Sequence, residues 1–252
     1  FETQCAECDL SFLTTLTSLK VYYLQGCALT LPTSVVDFEL QDSKEVSVSC
    51  TENLASLKVI PHKDIRTTPC PKLRFLQSWW GKVLSEESLP CPISDVITLS
   101  CLSVVVDRVD PAFVFPTQLT YLWLTVKKDP FNATLLTPLT RLQELCISTR
   151  KDNEPLDLSG LTRLTMLYAP DAPVLRHPTS LIECKVRPLP DTDLSSLTNL
   201  TGLTVLLGQN ARLTFPTGLK KLDIDKGPLG DSNIDDVDLS SFHAYENNHI
   251  SR

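Results

Sequence analysis

Apolar residues recur along the chain as Leu-x-x-Leu-x-Leu, with polar residues between them, in two alternating signatures. The first, Asp-Leu-Ser-x-Leu-Thr-x-Leu-Thr-x-Leu, begins at Asp9, Asp157 and Asp193. The second is Pro-Thr-x-apolar with another apolar residue three later, and begins at Pro32, Pro116, Pro178 and Pro216. Anchoring each unit on its first apolar residue gives Leu19, Val35, Leu57, Leu73, Val96, Leu119, Leu142, Leu164, Leu181, Leu203, Leu219 and Phe242. Successive anchors lie either 16 or 17 residues apart or 22 or 23 apart. A fixed period of this kind is the mark of a stacked architecture, in which each unit buries its apolar face only against its neighbours.

The spacing inside each unit predicts the element. Apolar residues three and five after the anchor, as in Leu119, Leu122 and Leu124, suit a short strand whose inward side chains alternate at period two. Sixteen extended residues reach only about 53 Å, room for a flattened turn of chain but not for a strand and a full helix. The longer intervals admit a helical or 3-10 turn. Asp9, Asp157 and Asp193 are placed to cap the first free amides of the turns they precede. With 18 prolines against 8 glycines, the remaining returns are expected to be stiff and extended. The expected fold is of the α/β repeat class, mostly β: a solenoid of about twelve coils with one parallel sheet. It forms a single domain over residues 1–252, with an N-terminal cap at 1–18 and a C-terminal cap at 231–252.

From about Asp9 to Asn247 the chain resembles the leucine-rich-repeat family, and its Leu-Pro-Thr-Ser and Leu-Thr-x-Leu units are similar to short repeat proteins of protists. The resemblance implies a parallel sheet lining a binding surface. It also implies an Asn or Cys eight residues after each anchor, where only Cys27 complies; Gly81, Arg150 and Ala211 stand there in other units. The buried amide ladder of the family is therefore expected to be missing.

On such a sheet the residues one, two and four after each anchor face the partner side. These positions hold Arg74, Phe75 and Gln77, Ile97 and Thr98, Tyr121 and Trp123, Gln143 and Glu144, Met166 and Tyr168, and Val205 and Leu207. The ends of the row are charged, with Asp37 and Glu39 at the start and Lys220, Lys221 and Asp223 at the finish. Aromatic and apolar strips make interface hot spots, because Trp and Tyr bring large area at small entropic cost. The binding residues expected are Phe75, Ile97, Tyr121, Trp123, Glu144, Met166, Tyr168, Val205 and Leu207. The alternative is that outward aromatics pack on a neighbouring coil. Trp79 and Trp80 read as loop packing.

A net charge of −7 leaves no cationic excess for nucleic acid or anionic lipid. No apolar run approaches a membrane span. The four histidines, His62, His177, His243 and His249, stand apart from any nucleophile pattern, and no phosphate loop, HExxH helix or GxSxG elbow occurs. No enzyme activity, metal or cofactor is expected. Asp231 to Asp238 lacks the spaced oxygen ligands of a calcium loop and reads as solvated surface. Cys5 and Cys8 form a Cys-x-x-Cys pair, open to a redox or zinc reading but read as part of the N-terminal cap. Cys70, Cys101 and Cys184 fall on inward positions, which suits buried thiols and leans towards the cytoplasm. The start at Phe1 without Met pulls the other way, towards a processed, secreted or surface chain, while the acceptor patterns Asn132-Ala-Thr and Asn199-Leu-Thr are no more than chance supplies and do not settle topology. The function expected is non-enzymatic binding of a protein partner on the concave sheet face, with self-association as a further outcome. The alternative is an adhesin or receptor ectodomain.

Overall fold

The computed structural model describes residues 6–63, 65–79, 83–84, 89, 93, 96–128, 130–149, 155–187, 192–206, 213–225 and 249–251. Two compact units divide the chain, Phe1–Asp129 and Pro130–Arg252. Each is a stack of coils in a parallel, mostly β solenoid. The described residues contain a 3-10 turn, Ala133–Leu136, and almost no other helix.

The first unit contains β1 (Glu7–Asp9), β2 (Ser18–Tyr22), β3 (Ala28–Thr30), β4 (Asp37–Lys44), β5 (Ser47–Ser49) and β6 (Ser56–Lys63). It continues with β7 (Arg66–Thr67), β8 (Phe75–Trp79), β9 (Val83–Leu84), β10 (Cys101–Val106), β11 (Arg108–Val109) and β12 (Tyr121–Val126). The even-numbered strands form the main sheet in the order β2-β4-β6-β8-β10-β12, all parallel. The returns do more than run extended: β1, β3, β5 and β7 form a second parallel ladder, and β9 pairs with β11. The expectation of one sheet is corrected here. Once coils are of equal length, successive returns lie in register, and their backbone groups satisfy one another across the stack.

Partners along the main ladder, Leu19, Phe38, Leu57, Leu76, Leu102 and Leu122, stand 19, 19, 19, 26 and 20 residues apart. From Phe38 to Leu122 these side chains are at most 1% exposed. Leu19 and Leu57 are thus the first inward strand residues, not anchors three places earlier, whereas Val96 stands three residues ahead of its anchor, Leu99. The alternation of short and long intervals came from that slip. Overlapping Leu-x-x-Leu pairs, such as Leu16 with Leu19 and Leu54 with Leu57, fit two frames, and choosing the later one lengthens the interval before it by three and shortens the next.

The second unit contains β13 (Glu144–Ser148), β14 (Leu156–Asp157), β15 (Met166–Arg176), β16 (Glu183–Arg187), β17 (Thr192–Asp193), β18 (Gly202–Leu206), β19 (Leu213–Thr214), β20 (Lys221–Asp225) and β21 (His249–Ser251). Its main sheet runs β13-β15-β16-β18-β20-β21, again parallel. Inward partners Leu145, Leu167, Cys184, Leu203 and Leu222 stand 22, 17, 19 and 19 residues apart. Leu203 too is an inward strand residue rather than an anchor. Phe242 lies outside the described residues.

Two polar devices stiffen the corners. Asp9, Asp157 and Asp193 accept from the amides of Ser11, Ser159 and Ser195 at 2.9, 3.0 and 2.9 Å, as their sequence positions predict. These contacts reach two residues on, so they close Asx turns rather than cap helices. Asn132 does cap one, accepting from Thr134 N at 3.0 Å ahead of the 3-10 turn. The second device is a set of side-chain bonds from one coil to the next. The hydroxyls of Ser34, Thr98 and Ser180 each donate to a carbonyl one coil back, that of Leu16, Leu73 and Leu164 respectively, at 2.7 Å. Asn53 and Asn199 use longer side chains to reach Thr33 O and Thr179 O at 3.0 and 3.2 Å. Each such bond contributes about 0.5–1.5 kcal/mol and ties a corner to the coil before it.

Candidate functional site

Alternation fixes what each strand presents outside. In β12, Leu122, Leu124 and Val126 are buried, so Tyr121, Trp123 and Thr125 form the outer face. Trp123 is 41% exposed. Tyr121 is half-buried and lies beside Cys101, while Trp123 lies beside Ser103. Phe75 is the Cys101 neighbour on the other side, also half-buried, with the Lys58 ammonium 5.6 Å from its ring centroid. Cys101 therefore faces outward between two aromatic residues. The inward reading of Cys101 is corrected, and its cause is the slipped frame at Val96.

Further along the same face, Lys20 and Glu39 pair at 3.0 Å. The Lys20 hydrogen bond, against the opposing cost of burial, holds the Glu39 carboxyl below its ordinary range. Gln41 also donates to Glu39. Tyr22, 49% exposed, ends the outer row of β2. The Leu19 frame had made it an inward residue. Tyr23 follows in the left-handed backbone region, φ 58°.

In the second unit Met166 and Tyr168 are 42% and 41% exposed on β15. Glu144 is the half-buried neighbour of Met166, and Cys146 that of Tyr168. On the other side stand Glu183 and Lys185, with the Lys185 ammonium 5.3 Å from the Tyr168 ring centroid. Beyond them the face dips into a shallow concavity of about 210 Å³. Met166 and Tyr168 form one wall, the Lys221–Asp223 pair at 2.8 Å the other, and Gly202 and Thr204 the floor. A Cβ on Gly202 would meet only Glu183 Cγ, at 3.5 Å, so this glycine leaves the floor open rather than relieving a clash.

Two expected binding residues stand elsewhere. Val205 is 0% exposed and points into the stack opposite Val186 and Ile224; the Leu203 frame turned the strand over by an odd step, which exchanges its faces. Thr204 occupies the outer position instead. Ile97 is 81% exposed but lies in the corner turn before β10, not on the sheet. Leu207 lies outside the described residues, as do Trp80 and the Asp231 to Asp238 segment. Trp79 belongs to β8, opposite Val105, rather than to a loop.

No family model matches the sequence, and no curated protein matches it. Among solved structures, an internalin from Listeria monocytogenes is similar at 16% identity, over 95% of this chain and 83% of that one, with a TM-score of 0.46. A likeness at that identity concerns the fold alone. Among the described residues no helix is long and apolar enough to cross a membrane.

Proposed function

We propose that the chain is a non-enzymatic interaction module that binds a protein partner through the outer faces of its main-sheet strands. The observation that carries this reading is the exposure of Trp123 in the first unit and of Met166 and Tyr168 in the second. All three stand on strands of the main sheet, and Met166 and Tyr168 have Glu144, Glu183 and Lys185 beside them. Trp and Tyr on a rigid sheet lose little entropy when covered, and a polar surround excludes water around them, the make-up of an interface hot spot. Phe75, Tyr121 and Glu144 contribute the half-buried margins, and the concavity beside Tyr168 receives a side chain of the partner. The backbone of β15 is paired on both sides, so recognition there rests on side chains and not on strand addition.

The test is a pull-down from the native source with the wild-type chain and with Trp123→Ala, Met166→Ala and Tyr168→Ala variants of confirmed circular dichroism. A partner retained by the wild type and lost or weakened at least tenfold by these variants supports the reading. Equal recovery by all four chains moves binding to the returns or chain ends. Enrichment of the chain itself identifies self-association on this face.

A further inference from the structure

The second ladder of the first unit brings two cysteines together. β5 and β7 pair in parallel as Ser47↔Arg66 and Val48↔Thr67, with Cys50 directly after β5 and Cys70 three residues after β7. Thr68 holds both. Its hydroxyl accepts from Cys50 N at 2.8 Å and donates to Cys50 O at 3.3 Å, while its carbonyl accepts from the Cys70 thiol at 3.2 Å. The Cys70 thiol is a near neighbour of the Cys50 thiol. The Thr67 hydroxyl lies 3.9 Å from Cys70 Sγ and also contacts the Cys50 thiol. The β5–β7 register, continued past Val48↔Thr67, sets Cys50 across from Pro69, the residue before Cys70, so the two cysteines stand on adjacent returns. Cys70 is 0% exposed, but Cys50 is only half-buried and can be reached from solvent.

We propose that Cys50 and Cys70 are a disulfide-forming pair that staples two successive returns of the first unit when the chain meets an oxidising small-molecule disulfide. The Cys50 thiolate attacks one sulfur of the oxidant, forming a mixed disulfide and releasing one thiol. Cys70, on losing its proton, attacks the Cys50 sulfur and releases the second thiol. Two protein thiols lose two hydrogens, and the oxidant leaves as two thiols. The neighbouring Cys70 thiol and burial push the Cys50 thiol up, so exchange is slow at neutral pH and quickens as pH rises.

The sequence makes the test direct. Trypsin cuts after Lys44, Lys58, Arg66 and Lys72, giving residues 45–58 with Cys50 as their cysteine and residues 67–72 with Cys70 as theirs. The full chain is equilibrated with oxidised glutathione at mildly alkaline pH until its thiol content stops changing, then alkylated, digested and weighed. The expected product is these two peptides joined, two hydrogens lighter than their sum, separating on reduction and absent from Cys50→Ser. Recovery of the two peptides apart from each other, alkylated or carrying glutathione, overturns the proposal. The wild-type measurement needs no variant to fold.

Discussion

His177 occupies a slot that the stack otherwise gives to an apolar side chain. Its counterparts before the Pro-Thr pairs are Leu31, Phe115 and Phe215, at most 3% exposed. The His177 Nε2 is buried without a hydrogen-bond partner among the described residues, and burial pushes its pKa down to about 4. Between pH 4 and the ordinary value of 6.5, the unfolded chain takes up a proton that the folded chain refuses. The neutral ring's contribution is therefore complete above pH 6.5 and lost as pH falls towards 4, by up to about 3 kcal/mol. The lowered Asp9, Asp157 and Asp193 carboxyls, each held chiefly by its Asx-turn serine, act below the ordinary carboxylate range and not in that window. Urea denaturation of a His177→Phe chain should show a higher midpoint than wild type at pH 4.5 and a flatter slope between pH 4.5 and 7. An unchanged acid slope would contradict the packing account of this residue.

At the scale of the element, the sequence showed which residues alternate but not where the alternation begins. Leu119, Leu142, Leu164, Leu181 and Leu219 gave correct frames because an unambiguous Leu-x-x-apolar-x-apolar follows each of them. Leu57 and Leu203 did not, because an equally good apolar residue stands three places earlier and the sequence weighs the two alike. That is why Tyr121, Trp123, Met166 and Tyr168 were legible as face residues, while Val205 and Cys101 were misplaced and Tyr22 was missed. The hydroxyl ladder was not legible at all, since Ser34, Thr98 and Ser180 act through carbonyls one coil back. The register can be tested at neighbouring positions. Val205→Asn buries an amide in the stack and should cost about 2–4 kcal/mol, whereas Thr204→Asn, on the outer face, should stay within about 0.5 kcal/mol. Chemical denaturation of the two variants decides it, and equal losses would mean that the strand faces are assigned wrongly.

At the scale of the whole molecule, repetition supplies both the fold and the surface. Each coil contributes one row of inward apolar residues and one row of outward residues, and the stack converts rows into a core and a face. The core is strongly constrained, because any outward-for-inward exchange breaks it. The face is constrained only by what touches it, so the sequence placed aromatic residues there without identifying a partner. The measurement that bears most directly on the account is hydroxyl-radical footprinting of the chain alone and with the partner recovered by pull-down. Trp123, Met166 and Tyr168 should each oxidise several-fold more slowly in the complex, while Phe12, 70% exposed in a corner turn, keeps its rate. Unchanged rates at the three sheet residues, with protection on the returns or corners instead, would contradict a binding surface on the main sheet.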